Sequence, residues 1–430
     1  MSEHRNLVHP RDEIVEFMQR IYGYGMTTTS GGNLSIRDDN GDVWVSPAGY
    51  DKGSLTPHDI ICVHPDGSTE GPHRPSSELP FHQAIYEARP EVRAVVHAHP
   101  PALVAFSLAG KVPDTRILPK ARLVCGDVGF APYELPGSKA LGARIAEVFA
   151  KGYDTVVLEN HGIVCSGSSL FEAFQRFETL DFCARLSIEA RRVGTPHVLS
   201  DEQLGFIKGD SHLVPEFDPH PATSHERELR TMMVRLIRRA YDQMLFTSTE
   251  GTFSCRLDDT SMLITPYGVD RKRITAKDVV LIQGGKRERG TTPSRSLLLH
   301  QKIYERHPHV AAVLIAHPPN VMAFGVAHEP FTTRTIPESY VMLRDVPLLA
   351  YGAQYTDQDH VASMIGLATP CVIVENDCTI VVGKSLLEAF DRLEVAEFSA
   401  RSVIGAGAIG PVASINNDQV NELKEAFGLE

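Results

Sequence analysis

Apolar and polar residues recur with two different periods along the first half of the chain, and these periods predict helices mixed with strands. The run "PRDEIVEFMQRIYGYGM" repeats apolar residues at helical spacing. The run "GGNLSIRDDNGDVWVSP" contains two β-rich segments around Asn40-Gly41, a dipeptide typical of hairpin turns. The run "VRAVVHAHP" predicts a buried strand that ends at Pro100-Pro101, because proline cannot continue a hydrogen-bonded ladder.

The segments around this strand predict a sheet covered by helices. "SSELPFHQAIYEAR" predicts a helix with a serine cap, and "DTVVLENHGIVCSG" predicts a pair of strands that turn at Gly162. "SLFEAFQRFETLDFCARLSIEARR" predicts a long amphipathic helix. Hairpins mixed with helices favour a mixed sheet over a regular βαβ array.

The second half of the chain repeats the first. "PSSELPFHQAIYEARPEVRAVVHAHPPALVAF", from Pro75, aligns without a gap with "PSRSLLLHQKIYERHPHVAAVLIAHPPNVMAF", from Pro293. The period is far longer than the roughly 20 to 50 residues of a solenoid repeat, so it indicates a duplicated domain. We predict one domain over residues 1–214, a linker over 215–225 that is rich in proline and acidic residues, and a second domain over 226–430.

Charge and composition narrow the range of partners. The chain has 42 Lys+Arg against 54 Asp+Glu, a net charge of -12, and no basic run, which disfavours nucleic acid and anionic membranes. The start is polar, and no segment approaches the roughly 18 apolar residues of a membrane span, so we expect a cytoplasmic protein without a leader or membrane helix. The sequence lacks the phosphate loops of nucleotide-binding proteins, and its seven cysteines, without CxxC pairs, are expected to be reduced core thiols.

Two histidines in the buried strand are the first sign of chemistry. His97 and His99 point to one face of the strand, and His161 ends another apolar run, where Gly162 permits a tight turn. Three imidazoles with an open fourth position are typical of a catalytic Zn²⁺ site, and Glu78, near the start of its helix, adds a carboxylate. Hydrogen-bonded core histidines and a carboxylate that interacts with the helix dipole would explain the same residues.

Comparison of the two copies favours the metal site. Structural residues such as the Pro-Pro stop and "HQ-IY" occur in both copies. The candidate residues of the first copy change in the second, where Glu78, His97, His99 and His161 align with Ser296, Ile315, His317 and Asp377. Core residues would be needed in both copies, so we predict one metal site per chain, carried by the first copy.

The motifs "SGGNLSIR", "VSPAGYDKGSLTPHDI", "PSSE", "HQAIY", "VVHAHPP", "APYELPGS" and "LENHGIV" together resemble the class II aldolase and adducin family, of the fuculose phosphate aldolase type. The resemblance implies two tandem α/β/α sandwich domains around mixed, largely antiparallel sheets, the second of them degenerate. It also implies one divalent ion per chain, Zn²⁺ before Mn²⁺, Fe²⁺ or Co²⁺, on the three histidines, with Glu78 as acid/base. The implied pocket for a small anionic substrate, usually a phosphate, comprises Gly32, Asn33, Gly49, Ser76 and Ser77.

The reaction that the resemblance implies is cleavage of a carbon-carbon bond through an enediolate, by decarboxylation or retro-aldol cleavage of an oxo acid or a sugar-acid-type substrate. Three alternative functions stay open. The same ligands serve sugar phosphate epimerases and dehydratases, and histidine sites also accept the iron of an oxygenase. An adducin-like scaffold or binding protein is the alternative without catalysis. Family members usually form homo-oligomers, so we expect active sites at domain or subunit interfaces.

The family's sugar phosphate aldolases use tyrosines as proton donors, and the corresponding segments of this first copy, "TRILPKARLV" and "SDEQLGFIKGDSHLV", contain none. Lys120 and Arg122 stand there instead and either bind a substrate carboxylate, which favours a decarboxylase or an oxo-acid aldolase, or are solvated surface charges. Tyr340, aligned with Arg122, is a candidate donor from the second copy or else a core residue.

Overall fold

A computed structural model describes residues 8–207 and 213–429. Contacts between Cα atoms divide the chain into two compact units. The first contains the described residues up to Thr115 together with Lys120–Arg185, and the second contains Arg116–Pro119 and the described residues from Leu186 onward. Each unit holds one β-sheet with helices packed against it.

The helices in chain order are α1 (Pro10–Gly23), α2 (Leu79–Ala88), α3 (Pro101–Leu108), α4 (Pro119–Cys125), α5 (Lys139–Ala150), α6 (Leu170–Val193), α7 (Asp201–Leu204), α8 (Ser224–Asp242), α9 (Leu297–Arg306), α10 (Pro319–Ala327), α11 (Pro337–Leu343), α12 (Ala353–Thr356), α13 (Gln358–Met364), α14 (Leu386–Gly407) and α15 (Asn417–Phe427). Short 3₁₀ helices cover Pro57–Asp59, Thr115–Ile117 and Gly205–Ile207. The strands are β1 (Asn33–Arg37), β2 (Val43–Val45), β3 (Ile61–Val63), β4 (Thr69–Glu70), β5 (Ala94–Ala98), β6 (Val128–Ala131), β7 (Thr155–Leu158), β8 (Ile163–Gly167), β9 (Glu216–Phe217), β10 (Thr252–Arg256), β11 (Ser261–Ile264), β12 (Val280–Gln283), β13 (Lys286–Glu288), β14 (Ala312–Ala316), β15 (Leu348–Leu349), β16 (Cys371–Val374) and β17 (Cys378–Gly383).

The sheet of the first unit has the order β4-β3-β2-β1-β5-β8-β7-β6. Its strand pairs are antiparallel except β6 with β7, which are parallel. The predicted hairpin around Asn40-Gly41 is confirmed, since Ser35 pairs with Val45. The predicted buried strand is β5, which lies between β1 and β8 and is buried along its whole length.

The sheet of the second unit repeats this plan, with the order β15-β16-β17-β14-β10-β11-β12-β13-β9. Strand β14, which leads into the second "AHPP" motif, lies between β10 and β17, as β5 lies between β1 and β8. The fold class predicted from the sequence, a mixed and largely antiparallel sheet with helices in each of two tandem domains, is confirmed.

The core of the first unit forms where helices α2 and α5 pack on the sheet. Phe81 and Ile85 of α2 and Phe149 of α5 are at most 1% exposed and join the strand residues Val95 and Val164 in one apolar cluster. Burial of such a side chain stabilises the fold by about 1.5–3 kcal/mol relative to its exposure to water. Helix α1 packs on β1. All seven cysteines are buried, as predicted.

Three details differ from the prediction. Helix α2 has Glu78 and not a serine as its N-cap residue, and the Glu78 side chain makes no cap hydrogen bond. Helix α6 is not amphipathic, because no residue between Leu170 and Ala190 is exposed. The positive φ in the β7–β8 turn belongs to Asn160, at 53°, and not to Gly162.

The predicted linker, residues 215–225, contains the short strand β9, which pairs in parallel with β13, and the first residues of α8. The division into compact units falls earlier, at Arg185, and the domain boundary stays a prediction. Across the two described ranges, no helix combines the length and apolar character that a membrane span requires. Residues 1–7, on which the expectation of no leader depends, lie outside the described residues.

Candidate metal centre

Three histidines meet at one end of the first sheet. His97 is the fourth residue of β5, His99 follows the strand, and His161 lies in the turn between β7 and β8. Because β8 pairs with β5, that turn lies beside the end of β5. The ring centroids are 4.8 Å apart for His97 and His99, 4.9 Å for His97 and His161, and 5.0 Å for His99 and His161. Their ligand nitrogens all lie within 4.8 Å of one another.

The protonation of the rings suits metal binding. His97 Nδ1 lies 2.8 Å from the Ile163 carbonyl oxygen, which can only accept, so Nδ1 carries a proton and Nε2 is the ring nitrogen available to a metal. His99 Nε2 is 3.1 Å from that nitrogen. Burial lowers the pKa of His99 to about 3 and that of His161 to about 4, so both rings are neutral at pH 7 and able to act as ligands.

Glu78 brings a carboxylate to the three rings. Its Oε2 is 3.2 Å from His97 Nε2 and its Oε1 is 3.4 Å from His161 Nε2. Burial opposes ionisation, but the neighbouring imidazoles of His97 and His161 outweigh it and hold the pKa of Glu78 well below its ordinary value. Among the described residues, Oε1 is a buried oxygen without a hydrogen-bond partner. A cation bound between this oxygen and the three imidazole nitrogens would contact all of them, so the residues present suit a divalent metal.

A hydrogen-bond network behind Glu78 orients it. The Asn33 amide Nδ2 donates to Glu78 Oε2 over 2.8 Å, and Asn33 Oδ1 lies 2.5 Å from Nε2 of His82. His82 is fully buried and its Nδ1 lies 2.7 Å from the Ser35 hydroxyl, which also contacts Tyr86. Burial lowers the pKa of His82 to about 3, so the ring is neutral and can relay a fixed orientation to Asn33.

The second unit keeps the inner part of this network. Ser254 Oγ contacts His300 Nδ1 at 2.6 Å and the Tyr304 hydroxyl at 2.8 Å. The register that pairs Asn33 with His97 pairs Thr252 with Ile315, so a threonine replaces the asparagine. The "HQ-IY" motif therefore has a structural role in both copies. In the first copy the histidine of this motif, His82, contacts Asn33, which in turn donates to Glu78. The sequence analysis did not predict this connection.

Glycines allow the backbone to approach the histidine rings. A Cβ on Gly162 would lie 2.6 Å from the Ala98 carbonyl oxygen and 2.6 Å from His99 Cδ2, whereas a Cβ on Gly32, with φ +72°, would lie 2.8 Å from the His97 carbonyl oxygen. Real Cβ atoms essentially never make contacts this short, so a larger residue at either position would force its neighbours to move. Gly162 is required for close approach to His99, and not for a turn as predicted.

The residues predicted to bind an anion come from three segments that lie side by side. Gly32 and Asn33 adjoin the histidines, and the loop that contains Gly49 runs next to the segment that leads into α2, where Ser76 N donates to the Ser46 carbonyl oxygen over 3.2 Å. Ser76 is buried, and its Oγ accepts from Glu78 N over 3.3 Å, whereas Ser77 and Gly49 are exposed. Their role in substrate binding stays a prediction.

Two further residues near this loop were not singled out from the sequence. Thr27 Oγ1 is buried and has no hydrogen-bond partner in the described part of the chain, next to Gly31 and Gly32. Lys52 is 1% exposed, and its Nζ donates to the Pro47 carbonyl oxygen over 2.7 Å. Burial lowers the pKa of Lys52 to about 8. The hydroxyl-rich run "TTTSGGN" was the available signal for Thr27.

The three remaining candidates have other contacts. Arg122 lies on α4 and forms a two-pronged ion pair with the Asp127 carboxylate, and Lys120 is half-buried on the same helix. Tyr340 lies on α11 in the second unit and is 2% exposed. These contacts leave the predicted substrate and proton-donor roles untested.

In the second unit, His317 and Asp377, which align with His99 and His161, contact side chains that the first unit does not have at these places. Glu250 occupies the place of Gly31, and its Oε2 lies 3.4 Å from His317 Nε2. Asp377, which replaces His161, accepts from Gln354 Nε2 over 2.7 Å and from the Tyr355 hydroxyl over 3.1 Å, and burial raises its pKa. Within residues 8–207 and 213–429, both groups of three or more candidate metal ligands lie in the first unit.

The chain belongs to the class II aldolase and adducin family, because the family model of the class II aldolase and adducin N-terminal domain matches residues 12–188 and 231–404. The chain is 32% identical over 197 residues to the 5-deoxy-D-ribulose 1-phosphate aldolase of Bacillus thuringiensis, across 45% of this chain and 91% of that protein. It is 33% identical over 176 residues to an L-fuculose phosphate aldolase of Methanococcus maripaludis, across 41% of this chain and 94% of the relative.

The 3-oxo-tetronate 4-phosphate decarboxylase of Escherichia coli is 32% identical over 180 residues, across 41% of this chain and 84% of that enzyme. The relatives are therefore aldolases and a decarboxylase, and the chain is a lyase enzyme of the class II aldolase type. Each match spans less than half of this chain, as expected for relatives with one copy of the domain.

Proposed function

We propose that this lyase is a divalent-metal-dependent enzyme that cleaves a carbon-carbon bond in a small, oxygenated, phosphorylated substrate, with its active site in the first domain. The observation that carries the proposal is the set of three converging imidazoles with the buried Glu78 carboxylate beside them. The second domain, where Glu250 and Asp377 pair with neighbouring side chains, is proposed to be a scaffold.

His97, His99 and His161 would hold the ion, and Zn²⁺ suits a site of three imidazoles with an open position. When bound, such an ion supplies Lewis-acid stabilisation of negative charge on substrate oxygens. Glu78, ionised and fixed by Asn33, takes or returns the proton at the reacting carbon or oxygen. The proposed phosphate pocket comprises Gly32, Asn33, Gly49, Ser76 and Ser77, whose backbone and side-chain groups offer hydrogen-bond donors; Ser76 and Ser77 lie just before α2.

Decarboxylation of a phosphorylated 3-oxo acid is the reaction we propose first. It is supported by the decarboxylase among the relatives and by the absence of tyrosine from the segments where sugar phosphate aldolases carry their donors. Lys120 and Arg122, both on α4, are the proposed candidates to bind a substrate carboxylate. Retro-aldol cleavage of a ketose phosphate, as the names of the aldolase relatives indicate, is the runner-up.

The test is turnover of 3-oxo-tetronate 4-phosphate, L-fuculose 1-phosphate and 5-deoxy-D-ribulose 1-phosphate by zinc-loaded and by chelator-treated protein. Release of CO₂ identifies decarboxylation, a shorter carbonyl product identifies aldol cleavage, and a product of unchanged carbon number identifies epimerisation or dehydration. Glu78→Gln, which keeps the shape of the side chain, is expected to lose about 10²–10⁴ in rate. Ser296→Ala, at the aligned position of the second copy, is the matched control and should keep full activity.

Equal turnover with and without metal would contradict the proposal, and so would a Glu78→Gln variant as active as the wild type. The expected cytoplasmic location, the homo-oligomeric assembly and active sites at domain or subunit interfaces stay predictions. Size measurement in solution and localisation of the tagged protein would test them.

A further inference from the structure

A second group of ligand-type side chains lies on strands β2 and β3 of the first unit. Cys62 is in the middle of β3, and His64 is the residue after its end, so both side chains are on one face. The register pairs Val43 with Val63, which puts Asp42 directly opposite His64. The Asp42 carboxylate, the Cys62 sulfur and an imidazole nitrogen of His64 all lie within 4.8 Å of one another. We call these three residues the thiol cluster.

Neighbouring side chains hold two members of the thiol cluster in place. His64 Nδ1 is 2.8 Å from Asp42 Oδ1, and His64 Nε2 is 3.3 Å from Glu70 Oε1. Asn40 Nδ2 donates to the other Asp42 oxygen over 2.7 Å. In metal sites, a carboxylate that accepts the outer N–H of a histidine fixes its tautomer and directs the inner nitrogen to the metal. Glu70 has this position relative to His64.

The local charge favours a cation. Cys62 is 1% exposed, and the carboxylates of Asp42 and Glu70 both lie against the imidazole of His64 beside it. Two carboxylates and a thiol at one end of these strands give a set of anionic ligands that a divalent cation would neutralise. A divalent ion bound to one thiolate, one carboxylate and one neutral imidazole gives a group with no net charge, which removes the repulsion between the two anionic ligands.

The second copy of the domain forms the same strands without these residues. Asp42, Cys62 and His64 align with Ser261, Leu281 and Gln283, and Ser261 pairs with Gln283 across β11 and β12. Strand pairing therefore does not require the thiol cluster. All three ligand types are absent together, as they would be if they acted as a group.

We infer that Asp42, Cys62 and His64 form a second divalent-metal site, selective for a zinc-like ion, separate from the histidine cluster. A combination of thiolate, imidazole and carboxylate suits Zn²⁺, whereas Mg²⁺ and Ca²⁺ prefer oxygen ligands alone. The His64 side chain is 30% exposed, so the ion can enter from solvent and complete its coordination with water. The bound ion joins β2 to β3 and stabilises this part of the sheet.

Cobalt(II) titration of the chelator-treated full-length chain tests the inference without any activity assay. A thiolate ligand gives Co²⁺ a sulfur-to-metal charge-transfer band in the near ultraviolet, which the all-histidine cluster cannot produce. Trp44 is the sole tryptophan of the chain and pairs with Cys62 across β2 and β3. Co²⁺ at the thiol cluster should therefore quench its fluorescence in parallel with the new band.

The wild type should show the band, and added Zn²⁺ should remove it. Cys62→Ser should abolish the band, and His64→Gln, which introduces the residue of the second copy, should weaken Co²⁺ binding at this site about tenfold or more. Because His64 is partly exposed, the second variant remains informative if the first fails to fold. Cys255→Ser, at another buried strand cysteine, is the matched control and should keep the band.

A wild-type titration without the band would overturn the inference, and so would a band that persists in Cys62→Ser. His97→Ala should leave the band intact. Failure of the proposed catalytic function would then be visible separately, as loss of turnover without loss of the cobalt-thiolate signal.

Discussion

Replacement of Asn33 by threonine, the residue at the aligned position of the second copy, tests whether Asn33 orients Glu78. Threonine lacks the amide that donates to Glu78 Oε2 over 2.8 Å. Asn33 is 3% exposed and Glu78 is 9% exposed, so water does not readily replace the lost donor. A hydrogen bond to a charged group contributes about 1.5–3 kcal/mol. If the carboxylate must be oriented for proton transfer, this energy is lost in the transition state.

At 1.36 kcal/mol for each factor of ten, the loss corresponds to a decrease in kcat of about 10-fold to about 150-fold. KM should change by less than about twofold, because both polar groups of the Asn33 side chain are already bonded to protein atoms of Glu78 and His82. The metal content should stay that of the wild type. This pattern differs from that of a residue that binds substrate phosphate, which would raise KM.

Steady-state kinetics on the substrate identified by the product assay, with metal analysis of the same preparation, measures all three quantities. Thr252→Val in the second copy is the matched control, since its hydroxyl bonds the neutral Ser294 hydroxyl at 2.7 Å and not a carboxylate, and its kinetics should be unchanged. A large rise in KM at constant kcat would refute the positioning role and support the substrate-binding role predicted from the sequence. Unchanged kinetics would refute both roles.

Three further predictions concern metal affinity and stability. In Gly162→Ala the new Cβ would lie 2.6 Å from His99 Cδ2, so this variant should be less stable by about 1–3 kcal/mol and should bind zinc more weakly in a chelator competition. In Gly49→Ala the new Cβ has open space around it, so this control should keep its zinc affinity. The pKa of Lys52 is lowered from 10.5 to about 8 by burial, so between these two values the folded state binds fewer protons than the unfolded state. The free energy of unfolding should therefore rise with pH across this window, by about 3 kcal/mol. Thermal unfolding of Lys52→Met should show no such rise. His317→Ala should retain the zinc content of the wild type and lower only the melting temperature, and a loss of one ion would contradict the assignment of the site to the first copy.

Much of the fold and the ligand set could be predicted because their signals are local or repeated. The period of two in "VVHAH" predicts that His97 and His99 lie on the same side of β5. The comparison of the two copies points to His161, although the sequence does not give its distance from the other two rings. The structure brings the three rings within 5.0 Å of one another. The hairpin at Asn40-Gly41 followed from turn chemistry alone.

The orientation of Glu78 could not be predicted, because it depends on contacts between residues far apart in sequence. Asn33 and Glu78 are 45 residues apart, and Asn33 and His82 are 49 residues apart. Local propensity carries no information about which side chains meet across such a separation. For the same reason Gly162 was explained by a turn, whereas the structure shows close packing against His99.

The burial of α6 shows a different limit. Its sequence contains charged residues at intervals, which favoured an amphipathic helix, but Asp181 and Glu178 are buried along with the apolar positions. Asp181 is paired with Arg185 one turn later, at 2.8 Å. Charged residues that form such pairs can be buried, so the polar face predicted from the sequence is not a solvent face.

Metal analysis of the purified wild type and of His97→Ala, with His317→Ala as control, tests directly whether the three histidines of the first copy bind an ion. We expect His97→Ala to contain one divalent ion fewer per chain than the wild type, whereas His317→Ala loses none. Equal metal content in wild type and His97→Ala would contradict this expectation and would make the histidine cluster a structural feature of the core.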